Sequence, residues 1–253
     1  MGVKVAFITG AGSGMGQHYA LKMMRSGWMV AAIDVNQVGL DLLPDSQKIL
    51  RLNVDITDFN AVKAAARQVE SELGPINRVV NAAGIMPLSK ILNQDVGLIK
   101  KIMDINYGGL VNVAQATLPG MLERKSGEFV SFASLAGHLP VFYVGAYNAS
   151  KFAVIAFTEV LYQENKNCGV KFACVCPPPV QTPLLNQARE TVWPKLFGML
   201  PAISPESVID KIDRALINEK FWVFPGPVTK LIWYFRRYFP GLAWRFVRSY
   251  EGL

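Results

Sequence analysis

Residues 3–24 read "VKVAFITGAGSGMGQHYALKMM", and the architecture turns on this stretch. Its first seven residues, "VKVAFIT", have the apolar run of a strand buried on both faces of a parallel sheet. Gly10, Gly14 and Gly16 follow, and then a segment with helical spacing. A glycine turn between a strand and a helix permits a tight bend, close approach of backbone to a ligand and tight packing of the helix on the sheet. The helix N-terminus behind it offers unpaired N–H groups and positive dipole to an anion. Gly10, Ser13, Gly14, Met15 and Gly16 are therefore expected to cradle the pyrophosphate of a dinucleotide.

Working outward, five more apolar runs recur: "WMVAAID", "KILRLNV", "INRVVNA", "GEFVSFA" and "VKFACVC". Helical patterns separate them, such as "DFNAVKAAARQVESELG", where Asp58 is placed to cap the start and a glycine marks the stop. Strand and helix in alternation predict an α/β protein with a Rossmann-like, doubly wound parallel sheet. One domain is expected over residues 1–227, with an amphipathic helical extension over 228–253. Ligands of such sheets bind beyond the carboxyl ends of the strands.

Composition narrows the function. The chain has 253 residues, 51% of them hydrophobic, enough to bury one large core. No apolar run is long enough to span a bilayer and no leader pattern precedes the first motif, so a cytoplasmic location is expected. Three cysteines (Cys168, Cys174, Cys176) and two histidines (His18, His138) complete no zinc-ligand spacing, and no metal is expected. The net charge of +7 raises nucleic acid as a partner, but five basic residues against one acid fall within residues 228–253, so the excess is local.

Asp34 ends the second apolar run, about the expected 20 residues beyond the glycines. A carboxylate there accepts hydrogen bonds from an adenosine ribose and repels a 2′-phosphate. NAD is therefore expected in preference to NADP. Further along, "GAYNASKFAV" (145–154) carries Tyr147 four residues before Lys151, which on a helix puts both on one face. An ammonium about 4 Å from a phenolate, at an effective dielectric near 20, interacts by roughly 4 kcal/mol, on the order of three pKa units. That expectation makes Tyr147 a general acid/base near neutral pH.

These motifs together resemble the short-chain dehydrogenase/reductase family: "TGAGSGMG", "NAAG" (81–84), "MDINYGGLVN" with Asn106, "SFASLAG" with Ser134, "YNASK", and "CPPPVQTP". The resemblance runs from about residue 3 to residue 183. It implies a catalytic set of Asn106, Ser134, Tyr147 and Lys151. Ser134 would hold the substrate oxygen, Lys151 would also bind the nicotinamide ribose, and Asn106 would hold a water linking the lysine to solvent. It also implies cofactor contacts from Asp55 and Ile56 near the adenine, from Asn81, Ala82 and Gly84 near the ribose, and from Pro177, Val180 and Thr182 near the nicotinamide. A homodimer or homotetramer is implied as well. One departure is visible: Pro178 stands where the family usually has glycine, which constrains the loop.

The substrate side is read from "GHLPVFYVG" and "LLNQARETVWPKLFGML", where Leu139, Phe142, Tyr143, Leu184, Trp193, Phe197 and Met199 predict an apolar wall. The expected function is an NAD-dependent dehydrogenase of a hydrophobic secondary alcohol of lipid, steroid or acyl-chain type. An NADPH-dependent 3-oxoacyl-carrier reductase and a non-catalytic dinucleotide sensor are the alternatives. In the tail, Val228, Leu231, Ile232, Phe235, Tyr238, Phe239, Leu242, Phe246 and Tyr250 fall on one side at helical spacing, with Trp233 and Trp244 beside them. Lys230, Arg237, Arg245 and Arg248 gather on another, and Pro240–Gly241 is expected to split the tail into two helices. Such a segment either lies on an anionic membrane or packs as a wall of the substrate pocket.

Overall fold

The computed structural model describes residues 3–190 and 192–252. Strand β1 (Val5–Thr9) is buried at every residue and leads through the glycine turn into α1 (Gly14–Arg25). The order continues with β2 (Met29–Asp34), α2 (Gln37–Asp41), β3 (Ile49–Asn53), α3 (Phe59–Glu72) and β4 (Ile76–Asn81). The second half comprises α4 (Val96–Met103), α5 (Gly109–Glu123), β5 (Gly127–Phe132), α6 (Gly145–Glu164), β6 (Val170–Val175), α7 (Pro183–Arg189), α8 (Pro205–Ile217), β7 (Trp222–Val223), α9 (Thr229–Tyr238) and α10 (Pro240–Glu251). Asp58 caps α3 as its position predicts, accepting from the N–H groups of Asn60 and Ala61.

The strands form one parallel sheet in the order β3-β2-β1-β4-β5-β6-β7. The order reverses between β1 and β4, and the crevice above that switch point is where such sheets take ligands. Six strands were legible as apolar runs. The seventh is only two residues long, too short for a period to register, and it pairs Trp222 and Val223 with Cys174 and Val175 of β6.

Two apolar layers cover the sheet. Val62, Val69, Leu110, Val113 and Val154 of α3, α5 and α6 pack on one face, and Tyr19, Met23, Val208, Ile209 and Ile212 of α1 and α8 on the other. Within the second layer, buried Arg78 of β4 donates to Glu128 at 2.6 Å, to Asp213 at 2.8 Å and to the Tyr19 hydroxyl at 2.9 Å. A charge at that depth is tolerated because its donors are engaged from three elements.

The tail does divide into two helices, with the break at Phe239, whose φ of −127° and ψ of 57° end α9. Pro240 opens α10, where its missing N–H costs nothing, and Gly241 lies inside that helix rather than in the break. The packing stripe differs from the expected one. Thr229, Ala243 and Val247 are buried, with Trp233 and Trp244 against the core, while Leu231, Tyr238, Phe239 and Leu242 remain exposed. Trp233 lies against Trp222, Phe224 and His138, and Trp244 against Phe142.

Candidate active site

A cleft of about 1100 Å³ runs along the carboxyl ends of the strands. At one end the turn after β1 bends through Gly10, with φ of +68°, and Gly14, with φ of +50°, in the left-handed region that glycine tolerates. A Cβ on Gly10 would stand 2.8 Å from the Ala83 nitrogen, so side-chain bulk is excluded there. The Ser13 side chain caps nothing and no acid lies in the first turn of α1, so that helix presents its N–H groups and dipole to the cleft. Asp34 accepts from the Gly12 N–H at 2.8 Å and from the Asn36 N–H at 2.9 Å, which fixes its carboxylate at the end of β2. Backbone donors beside a glycine bend, with a held carboxylate further on, fit the pyrophosphate and ribose of a nicotinamide dinucleotide.

Most of the expected contacts line this cleft: Gly10, Ser13, Gly14, Met15, Asp34, Asp55, Ile56, Ala82, Gly84, Ser134, Tyr147, Lys151, Pro177, Val180 and Thr182. Three stand behind its wall. A Cβ on Gly16 would meet the Gly10 carbonyl oxygen at 2.1 Å, so this glycine serves the packing of α1 against the turn. Asn81 is buried at the end of β4, and its side-chain amide has no hydrogen-bond partner among the described residues. Asn106 sits in a widened π turn, Asp104–Gly108, between α4 and α5. Its amide accepts from the Ile85 N–H at 2.8 Å and donates to the Ile85 carbonyl at 3.0 Å and to the Ser150 hydroxyl at 3.0 Å. Those bonds hold the Gly84–Ile85 backbone beside the cleft. Asp55, though lining the cleft, spends one oxygen on the Thr57 N–H and hydroxyl, each at 2.8 Å.

At the centre, the first turns of α6 bring Tyr147 and Lys151 to the ends of β4 and β5. Both are buried. The Lys151 Nζ donates to the Phe132 carbonyl at 2.7 Å and lies 5.6 Å from the centre of the Tyr147 ring. This departs from the simple electrostatic expectation. Burial pushes the Tyr147 phenol up to about 12, with the neighbouring Ser134 side chain pulling the other way. Burial likewise pushes Lys151 down to about 8, opposed by Cys174 and Cys176. Desolvation therefore sets the direction at both groups, and the ammonium spends a hydrogen bond on the Phe132 carbonyl.

Ser134 opens the turn Leu135–Gly137, its hydroxyl accepting from the Ala136 N–H at 3.1 Å. Sequence reasoning missed the residue that fastens this loop. Asn148, next to Tyr147, donates to the Ala136 carbonyl at 2.6 Å and to the Leu139 carbonyl at 3.2 Å and accepts from the Val141 N–H at 3.2 Å. Its place inside "YNASK" was the available signal. Gln187, which accepts from the Met86 N–H at 2.9 Å and so ties α7 over the cleft, gave no signal at all. Pro177 accepts from the Leu135 N–H at 2.9 Å, joining the loops that follow β5 and β6. Pro178 leans on Gly226 at the turn before α9, where a Cβ would lie 3.4 Å from it.

The far end is apolar. Leu139, Leu184, Phe197 and Met199 line it as expected, joined by Ile232, Phe235, Ala243, Phe246 and Val247 of the tail. Phe142 and Trp193 are set behind the wall, Phe142 against Trp244 at 5.5 Å and Trp193 against Phe197 at 5.4 Å between ring centres. Tyr143 takes a φ of 68°, and its carbonyl accepts from Ser89. His138 is enclosed by Trp222, Phe224 and Trp233, and burial lowers its pKa to about 4, with Arg237 adding to the effect. Among the described residues no group of three potential ligands is placed to hold a metal.

This geometry can be set against known proteins. Mouse (Mus musculus) 3-ketodihydrosphingosine reductase is 32% identical over 227 residues, which cover 85% of this chain and 68% of that protein. Human (Homo sapiens) epidermal retinol dehydrogenase 2 is 28% identical over 259 residues, covering 99% and 82%. A short-chain dehydrogenase/reductase from Burkholderia phymatum, solved in complex with NAD, superposes with a TM-score of 0.85 at 24% identity over 95% of each chain. Another from Burkholderia cenocepacia J2315, in complex with NADP, gives 0.83 at 21% identity over 97% and 98%. At such identities the two structures establish the fold alone. The family model for short chain dehydrogenases, however, matches residues 4–193, from β1 through the tyrosine helix to the apolar end of the cleft. With that match and the relatives above, the chain belongs to the short-chain dehydrogenase/reductase family.

Proposed function

We propose that the protein is an NAD(H)-dependent oxidoreductase that interconverts a hydrophobic secondary alcohol and its ketone, of lipid, steroid or acyl-chain type. The observation that carries this reading is the continuity of one cleft: Tyr147 and Lys151 lie in it between a glycine turn suited to phosphates and a wall of aliphatic and aromatic side chains. The bound nicotinamide would supply or accept the hydride. Tyr147 gives a proton to the carbonyl oxygen during reduction, or takes one from the alcohol. Burial raises the phenol's pKa, so the proton it gives is held at neutral pH. Ser134 orients the substrate oxygen, and Lys151 stabilises the tyrosinate that forms when the proton leaves. Asn106 positions the backbone beside them. The names of the mouse and human relatives, a ketosphingolipid reductase and a retinol dehydrogenase, support a lipophilic substrate.

Preference for NAD rests on Asp34, whose fixed carboxylate opposes a 2′-phosphate. A second reading, an NADPH-dependent 3-oxoacyl-carrier reductase, draws on Lys101, a cation in the cleft wall. Initial rates with NADH and NADPH across a panel of apolar ketones decide between them. Asp34→Ala combined with Val35→Arg should move the ratio of kcat/KM values toward NADPH by about tenfold or more, since the charge is removed and a bidentate donor is added. An unchanged ratio would remove Asp34 as the selector. Tight NADH binding without turnover of any ketone would instead favour the dinucleotide sensor.

A further inference from the structure

The helix pair α9–α10 has two faces of different character. Its inner face is anchored: Trp233 lies 5.2 Å from Phe224 and 5.7 Å from His138 between ring centres, and Trp244 stacks edge-on against Phe142. The Thr229 hydroxyl donates to the Pro225 carbonyl, and Glu251 accepts from the N–H groups of Lys195 and Leu196. Among the described residues the ring and cation–π contacts of the outer face stay within the tail itself. Leu231 is 68% exposed and Tyr238 67%, with Tyr234, Phe239, Leu242 and Tyr250 also open to solvent. Lys230, Arg237, Arg245 and Arg248 are exposed beside them, and Arg236 partly so. Among the described residues none of these five cations is in an ion pair.

We propose that this outer face docks the protein on the surface of an anionic lipid bilayer, with the cleft mouth turned to the lipid. Three observations select that occupant. First, the chemistry is that of an interfacial helix, with aromatic and aliphatic side chains flanked by Lys and Arg. Helices of 10 and 12 residues are about 15 to 18 Å long, too short to cross the hydrocarbon core, so they lie along the surface. Second, a second copy of the chain is a poor match. A two-fold contact sets a patch against itself, which here opposes five cations to five, and Glu251, the tail's one acid, is already engaged within the chain. Third, Phe235 and Phe246 belong to both surfaces, since each lines the cleft and is more than 40% exposed. A lipophilic molecule leaving the bilayer at that point would enter the cleft between α9 and α10 without crossing water.

The substrate route rests on the proposed function; docking does not, and docking is measured without substrate. The full-length chain is sedimented with vesicles of phosphatidylcholine alone and of phosphatidylcholine with phosphatidylserine. Binding is expected to the anionic vesicles and to weaken at high salt. Lys230→Glu with Arg237→Glu should weaken partition by about twentyfold or more, because each basic residue near an anionic surface contributes about fivefold. Leu231→Ser, Tyr238→Ser and Leu242→Ser together should abolish it. None of these five lines the cleft, so a folded triple variant should keep its affinity for NADH, which verifies the fold. Equal partition of parent and variants, or of neutral and anionic vesicles, would overturn the proposal. So would a dimer in light scattering that the triple variant dissociates, combined with no vesicle binding by the parent. Vesicle binding without turnover of any ketone would leave docking standing and refute the function.

Discussion

The two ends of the cleft are built from different materials. The nucleotide end is mostly backbone: glycines where a Cβ would strike a neighbouring main chain, N–H groups at a helix start, and one carboxylate held by two N–H donors. The substrate end is side chain, contributed by two separate stretches, α7 with the turn at Lys195–Gly198 and α9 with α10. Backbone contacts demand particular residues at fixed spacing, whereas an apolar wall accepts many side chains of similar volume. The first end therefore tolerates little substitution, and the second can be reshaped with modest cost.

The largest expected effect lies where the two ends meet. Tyr147→Phe should lower turnover by about a thousandfold or more, because the hydroxyl that would carry the proton is removed. NADH binding, followed by fluorescence titration, should stay within a few-fold, since the ring still packs. Substantial remaining turnover would mean that another group moves the proton.

The contrast in backbone tolerance can be measured with two glycines. Gly16→Ala forces a Cβ against the Gly10 carbonyl and should destabilise the fold by about 3 kcal/mol in urea denaturation. Gly241→Ala, inside α10 with nothing within 4 Å of the new methyl, should stabilise by roughly 0.5 to 1 kcal/mol. If the two changes proved alike, the distinction between the ends would fail.

Phe235→Ala with Phe246→Ala should raise KM for bulky apolar ketones by about tenfold while leaving NADH affinity intact. A matching loss of nucleotide affinity would show that the ends are coupled. The smallest effect concerns His138, which joins the loop after β5 to α9 through Trp233. Its folded pKa of about 4 lies below its ordinary 6.5, so the fold favours the neutral ring. That contribution is complete above pH 6.5 and is lost as pH falls from 6.5 toward 4, because the unfolded chain takes up the proton first. Thermal melts at pH 7 and pH 5 should show a drop that His138→Gln partly removes.

What the sequence determined by itself follows from local periods and fixed spacing. Six apolar runs, the cap at Asp58, the glycine turn, Asp34 at a strand end and the step from Tyr147 to Lys151 all act within one element or across one connection, so their order along the chain is enough to read them. Tertiary structure decided what depends on distant partners. Strand β7 exists because β6 offers it an edge. Asn106 turns to Ile85, and Gly16 to Gly10, because those backbones arrive beside them in the fold. Lys151 meets the Phe132 carbonyl, and burial, which no spacing reports, raises the Tyr147 phenol. The tail shows the same division: its amphipathic character was legible, but Trp233, Ala243, Trp244 and Val247 became its inner face only because the loop after β5 and the turn at Lys195–Gly198 leave a space of that shape.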